Sequence, residues 1–191
     1  MRFLFASILI LFSSTLALRA QESWVIDHDA TEIVINVGYI NEPKLRVAFE
    51  RFTDATFFDP ARPEITQSVI HVESASARSG IGIVNGLLRG PDYLDSDEFP
   101  FIRYFLRELR QTSPSTADAI GDLTLLGVTR PIVLKAEVFA YAPNAPDPEK
   151  RIAGFNIRGN VDRSQFGSMI GAGRIDNVLP IEIRLVFRPP A

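Results

Sequence analysis

The dominant pattern along this chain is a one-by-one alternation of apolar and polar side chains. Ile181, Ile183, Leu185 and Phe187 alternate with Glu182, Arg184 and Arg188; Ile132, Leu134, Ala136 and Val138 alternate with Lys135 and Glu137. Ile33, Ile35 and Val37 form a further set. So do Phe155, Ile157, Gly159 and Val161 against Asn156, Arg158 and Asn160, and Leu45, Val47 and Phe49 against Lys44, Arg46 and Glu50. Successive side chains of a strand point to opposite faces, so each run predicts a strand with one buried side. Ile65 to Ser74 is strand-like too, without showing which face is buried.

Turn-forming residues separate these runs: Asn41-Glu42-Pro43, Asp59-Pro60 with Pro63, Ser113-Pro114, the Pro143/Pro146/Pro148 segment, and Gly171 to Asn177. From Asp122 to Pro131, apolar runs on either side of a Gly/Thr/Pro segment predict a β-turn between buried strands. Gly127 can take a backbone angle closed to other residues. Pro131 has no N–H and suits the edge of a pairing ladder. Many strands with regular turns imply an all-β sandwich or barrel, and a barrel leaves no open edge. Two segments depart from the pattern. Ile81 to Arg89 predicts a short helix at one end. In Phe101 to Arg110 the spacing of Phe101, Phe105, Leu106 and Leu109 fits a helical stripe, while Phe101, Arg103, Phe105 and Arg107 fit alternation; periodicity favours the helix.

The first twenty residues stand apart from this pattern. Arg2 is followed by an apolar run, Phe3 to Phe12, and then by small residues up to Ala17 and Ala20. That is the layout of a secretory signal peptide, too short and too soon interrupted for a membrane span. Residues 1–20 are therefore expected to be removed, leaving 21–191 as one domain of about 170 residues, enough for a real core. The net charge is −3, and losing Arg2 and Arg19 makes the chain more acidic. Cysteine is absent, so an exported chain must be held by burial and hydrogen bonds rather than disulfides. Lysine occurs only at Lys44, Lys135 and Lys150, and no basic run exists, which argues against a nucleic-acid partner.

Residues for chemistry are scarce. His28 and His71 are the two histidines, and no Gly-x-Ser-x-Gly elbow is present. Asp27-His28-Asp29 is the one dense ionisable cluster, and it reads as a turn at a strand start rather than a metal site. Asp92, Asp95, Asp97 and Glu98 lack the glycine and terminal glutamate of a calcium loop. Apolar side chains, fourteen of them Phe, are what the chain has in quantity. They suit either an ordinary packed core or a barrel with a partly hollow interior.

Several segments in order resemble the YceI family. Trp24-Val25-Ile26-Asp27 is similar to its opening strand, and Val47-Ala48-Phe49 to Phe52 to its "v-x-G-x-F-x-x-F" run, with Ala48 in place of Gly. Leu88-Arg89, Asp92-Tyr93-Leu94-Asp95 and Phe99-Pro100 follow a third family segment. Gly121 to Pro131 resembles "GdLTirGvTkP", and Gly154-Phe155 with Val161 to Gly167 resembles "GF…i-x-RsdFG". The resemblance implies an eight-stranded antiparallel, lipocalin-like barrel with a short helix, and it replaces the helix at Phe101 to Arg110 by a strand. It implies export to the periplasm and a polyisoprenoid or fatty-acyl chain in the lumen. The chain departs from the family at Ala30-Thr31, where His-Ser is common, at Leu87, where His is common, and at Gln165, where Asp is usual.

On that reading the protein is a non-enzymatic carrier or store without a cofactor. Val37, Phe49, Leu134, Val138, Phe155, Ile157, Ile183 and Leu185 are expected to face the lumen and contact the ligand. Arg163 is expected to fork onto carbonyls or a carboxylate, with a ligand head group as the alternative. The expected partner is a hydrophobic small molecule, with room for a transient membrane contact and for a homodimer. The competing readings are a filled barrel serving as a periplasmic protein-interaction module, and an enzyme using Asp27, His28 or Arg163.

Overall fold

The computed structural model describes residues 23–39, 44–168, 171 and 173–190. The expected leader, residues 1–20, and the Asn41-Glu42-Pro43 turn lie outside the described residues. Among the described residues, eleven strands form one sheet in which every neighbouring pair is antiparallel. They are β1 (Val25–Ile26), β2 (Glu32–Val37), β3 (Leu45–Phe49), β4 (Phe52–Phe57), β5 (Gln67–Glu73), β6 (Ala77–Arg78), β7 (Phe101–Ser113), β8 (Thr116–Leu125), β9 (Val128–Tyr141), β10 (Ala153–Asp162) and β11 (Val178–Arg188). An α-helix, α1 (Gly82–Arg89), lies between β6 and β7 where the sequence predicts it.

The eleven strands reduce to eight staves, because several are halves of one bent strand. β3 and β4 are separated only by Glu50 and Arg51; β3 pairs β6 while β4 pairs β5, so the bent pair β3/β4 runs alongside the bent pair β5/β6. The bend is hydrogen-bonded: Glu50 N donates to Ser76 O (3.3 Å) and Glu73 N to Arg51 O (3.0 Å). β1 and β2 both pair β11, on either side of the Asp27–Thr31 excursion. The path then runs from β4 through β5, β7, β8, β9, β10, β11 and β2 back to β3, and the sheet curls onto itself. Trp24 N donating to Phe58 O (2.8 Å) ties the remaining edge. Closure of this kind satisfies backbone groups that an open sheet edge would leave bare.

The β8–β9 connection is tighter than the sequence suggests. Leu125 pairs with Val128, so the loop is only Leu126 and Gly127, with φ of 50° and 73°. Thr129, Arg130 and Pro131 already belong to β9, opposite Thr124, Leu123 and Asp122. Two positive φ values in a two-residue loop are the type I′ requirement, matched to the right-handed twist of the strands. Pro131 lies beyond the last β9–β10 pair, Lys135 with Arg158, so its missing N–H leaves no ladder bond unmade. Leu126 is the misfit, a branched side chain in the left-handed region, and it also lines the interior space. Leu126→Asn, giving the favoured Asn-Gly pair, is expected to raise stability by about 0.5–1 kcal/mol in a denaturant titration.

β7 settles the ambiguous segment as a strand, with the faces divided in an unexpected way. Phe101 and Phe105 are 41% and 48% exposed, and Arg103 and Arg107 share their outer side. Ile102, Tyr104 and Leu106 face inward. Arg107 donates through Nε to Asp122 (2.6 Å) and its guanidinium sits 5.8 Å from the Phe105 ring centroid, which keeps that ring partly covered on the outside. A bulge between Leu106 and Glu108 then restores Leu109 to the inner face.

Candidate functional site

The inner faces of the staves surround a cavity of about 790 Å³. That lies toward the upper end of the range for small-molecule sites. The period-two runs build it: Ile33 and Ile35 of β2, Val47 of β3, Ile132 of β9 and Ile181 of β11 all stand on its wall. All eight residues expected to face the lumen, Val37, Phe49, Leu134, Val138, Phe155, Ile157, Ile183 and Leu185, are on the wall as well. The space is open, so a barrel filled by its own side chains does not describe this chain.

The two ends of the cavity differ. At the helix end, where β7 and β9 begin, the wall is Val84, Leu87 and Leu88 of α1 with Tyr93, Leu94 and Leu126. Leu88 is buried among Val47, Phe49, Val72 and Ala77. At the turn end, where β7 stops and β8 starts, one side is closed by stacked rings. Phe58 and Phe187 lie 4.2 Å apart at 21°, Phe155 meets them edge-on, and Trp24 is fully buried behind. The other side carries Thr56, Thr66, Ser68, Gln111, Ser113 and Thr116. Thr56 and Ser68 hydroxyls bond each other (2.9 Å), and Thr116 donates to Ser113 (2.7 Å). This hydroxyl-rich rim was not anticipated. The signal in the sequence was the run of Ser and Thr at 112, 113, 115 and 116, which looks the same as any polar turn until the strands are closed around it.

Tyr104 of β7 presents its phenol to the cavity wall. Its hydroxyl donates to Ala119 O (3.2 Å). Burial, and secondarily the charge of Asp122, push its pKa up to about 12. The folded state therefore keeps this proton over a pH range where the unfolded chain loses it. The resulting stabilisation is complete below pH 10 and drains away as pH rises from 10 through 12. Thermal melts from pH 8 to 12 should show a steeper alkaline loss in the wild type than in Tyr104→Phe; parallel curves would contradict this assignment.

Arg163, only 4% exposed, reaches the wall at the helix end. It sits in a 3-10 turn (Arg163–Phe166) capped by Asp162, whose carboxylate accepts from Ser164 N (3.1 Å) and Oγ (2.6 Å) and is held below its ordinary pKa chiefly by that hydroxyl. Arg163 donates through Nε to Asp176 O (3.0 Å), through Nη1 to Ser168 O (3.0 Å) and through Nη2 to Ile175 O (3.2 Å). The guanidinium thus holds the loop that leads into β11. Gly167, at φ 84°, ends the turn in a conformation that favours glycine, and Phe166 is buried against Leu123 and Val161.

The residues weighed for catalysis do not converge. Asp27 accepts from Ala30 N (3.1 Å) and lies 3.4 Å from Arg188, at the turn end. His28 Nε2 is 3.0 Å from Asp54, and its ring stacks on Phe52 at 4.2 Å. Arg163 is at the opposite end. Of the departures from the family pattern, Thr31 and Leu87 lie on the cavity wall, while Gln165 bonds Asp162 on the outside. Among the described residues no three His, Cys, Asp or Glu side chains come together to hold a metal.

Comparison with known proteins agrees with this architecture. The sequence model of the YceI-like domain matches residues 24–187. A UPF0312 protein of Pseudomonas fluorescens is 31% identical over 133 residues, covering 69% of this chain and 68% of its own. One from Pseudomonas savastanoi is 27% identical over 163 residues, covering 84% and 83%. Among solved structures, Burkholderia cenocepacia BcnA superposes with a TM-score of 0.74 at 19% identity, over 85% of this chain and 99% of that one. A polyisoprenoid binding domain from Saccharophagus degradans superposes with a TM-score of 0.66 at 14% identity, over 88% and 99%. From Trp24 to Phe187, the chain belongs to the YceI-like family.

Proposed function

We propose that this protein binds a long apolar ligand, a polyisoprenoid or fatty-acyl lipid, in its lumen without catalysing a reaction on it, and that it carries or stores that lipid in the cell envelope. The observation that carries the reading is the continuous apolar cavity of about 790 Å³. Each CH₂ moved from water into such a space gains about 0.8 kcal/mol. About twenty carbons give about 16 kcal/mol gross. Ordering and association costs of about 4–15 kcal/mol are set against that gain. Affinity then needs no charged contact, and selectivity between chain lengths is loose. The similarity to a polyisoprenoid binding domain supports the prenyl alternative. The eight lumen residues named from the sequence contact the chain.

Localisation follows the leader: residues 1–20 direct export, and the mature domain works in the periplasm. Titration with cis-parinaric acid, whose fluorescence rises in an apolar site, tests the binding reading. Saturable uptake at one probe per chain, displaced by a prenyl alcohol, is expected. A protein that rejects acyl and prenyl probes alike contradicts it.

A further inference from the structure

Helix α1 carries two apolar stripes where a surface helix ordinarily carries one. Val84 and Leu88, four residues apart, face the cavity. Ile83 and Leu87, also four apart, face solvent at 78% and 55% exposure, and Ile81, just before the first turn, is 49% exposed. Gly86 adds no side chain between them. The Asn85 carboxamide is turned back to accept from Ser79 N (2.8 Å) and Oγ (2.9 Å). The only charged residue of the helix is Arg89, at its last position. The outer ridge therefore lacks the polar cover that water-facing helices have.

This ridge is continuous with the lumen. Leu87 is both surface and cavity wall, so apolar surface passes without a break from outside the barrel to its interior. We infer that α1 docks the protein on a lipid bilayer, sinking Ile81, Ile83 and Leu87 into its apolar boundary, and that a lipid chain passes along Leu87 between bilayer and lumen. A bilayer fits better than a protein groove because the path ends in a cavity lined by side chains of the same apolar character. Along it a chain crosses without exposing its methylenes to water. The contact is apolar rather than electrostatic. Arg89 is followed by Asp92, Asp95, Asp97 and Glu98, and Leu94 N and Ser96 N bond back to Leu88 O and Arg89 O, which holds that acidic turn against the end of the helix. A neutral bilayer is therefore sufficient.

Docking rests on α1 and on its continuity with the cavity at Leu87; the transfer route rests also on the lipid-binding reading of the lumen above, and two readouts separate them. In flotation with phosphatidylcholine vesicles, the wild-type protein rises with the lipid, and Ile83→Glu, a residue off the cavity wall, loses at least tenfold of the floated fraction. The variant keeps the wild-type melting temperature and its equilibrium uptake of cis-parinaric acid from buffer; Ile81→Ser, also off the wall, serves as a second variant. In transfer of that probe from loaded protein to vesicles, the wild-type rate rises with vesicle concentration. The variant rate falls at least tenfold and becomes independent of it. A wild type that floats but takes up no probe keeps the docking and removes the lumen reading. A wild type that stays at the bottom, or floats only when phosphatidylglycerol is added, overturns the proposal, as does an Ile83→Glu variant that floats normally.

Discussion

Replacing Ala136 by Trp should abolish uptake of a long acyl or prenyl chain while leaving the barrel folded. Ala136 is 8% exposed, stands on the cavity wall, and sits midway along β9 between Ala117 of β8 and Ile157 of β10. An indole there projects into open space, so the overpacking cost of about 1–3 kcal/mol seen in filled cores is largely avoided. The ligand has no such freedom. Cutting the lumen in two denies it about half its buried methylenes, several kcal/mol at about 0.8 kcal/mol each, which is a loss of at least about 100-fold in affinity. Val133→Trp is the matched control, because Val133 lies on the same strand, 50% exposed and off this cavity. Probe titration should show Val133→Trp binding as the wild type does. Equal binding by Ala136→Trp would place the ligand outside the lumen.

Arg163→Met should be the most destabilising single change at the helix end. It strips Asp176, Ser168 and Ile175 carbonyls of a cationic donor at a buried position. Hydrogen bonds to charged groups contribute about 1.5–3 kcal/mol each, so after partial relaxation a loss of about 3–5 kcal/mol is expected. For a domain of this size that lowers the melting temperature by about 10 °C. Lys at this position restores less than half of the loss, since one ammonium cannot span three carbonyls as a guanidinium fork does. The same variant separates the two roles considered for Arg163. A structural role moves the melting temperature and leaves probe affinity unchanged at low temperature; a head-group contact does the reverse.

How far these features were legible in the sequence depends on what alternation reports. It shows that two faces of a strand differ, and for β2, β3, β9, β10 and β11 the apolar face is the lumen face, so the wall could be named residue by residue. It does not show which way a sheet curls. In β7 the large aromatics Phe101 and Phe105 alternate with arginines on the same outer face, while Ile102, Tyr104 and Leu106 line the interior. Both stripes look plausible as a core until the neighbouring strands are placed. The continuity of β3 with β4 and of β5 with β6 was equally hidden, because a bend held by Ser76 and Arg51 backbone bonds has no hydrophobic signature. The open volume is the least legible feature of all. A packed core and a lined cavity use the same side chains, and they differ only in the distance across the barrel.

The central claim is that a lipid occupies this lumen. Native mass spectrometry of the protein purified from its own host, followed by organic extraction of the same sample, tests it most directly. The account predicts a mass increment that collisional activation removes, that reappears in the extract as a prenyl or acyl lipid, and that Ala136→Trp lacks. A wild-type protein that carries no such increment, and gains none when offered prenyl and acyl lipids, would contradict it.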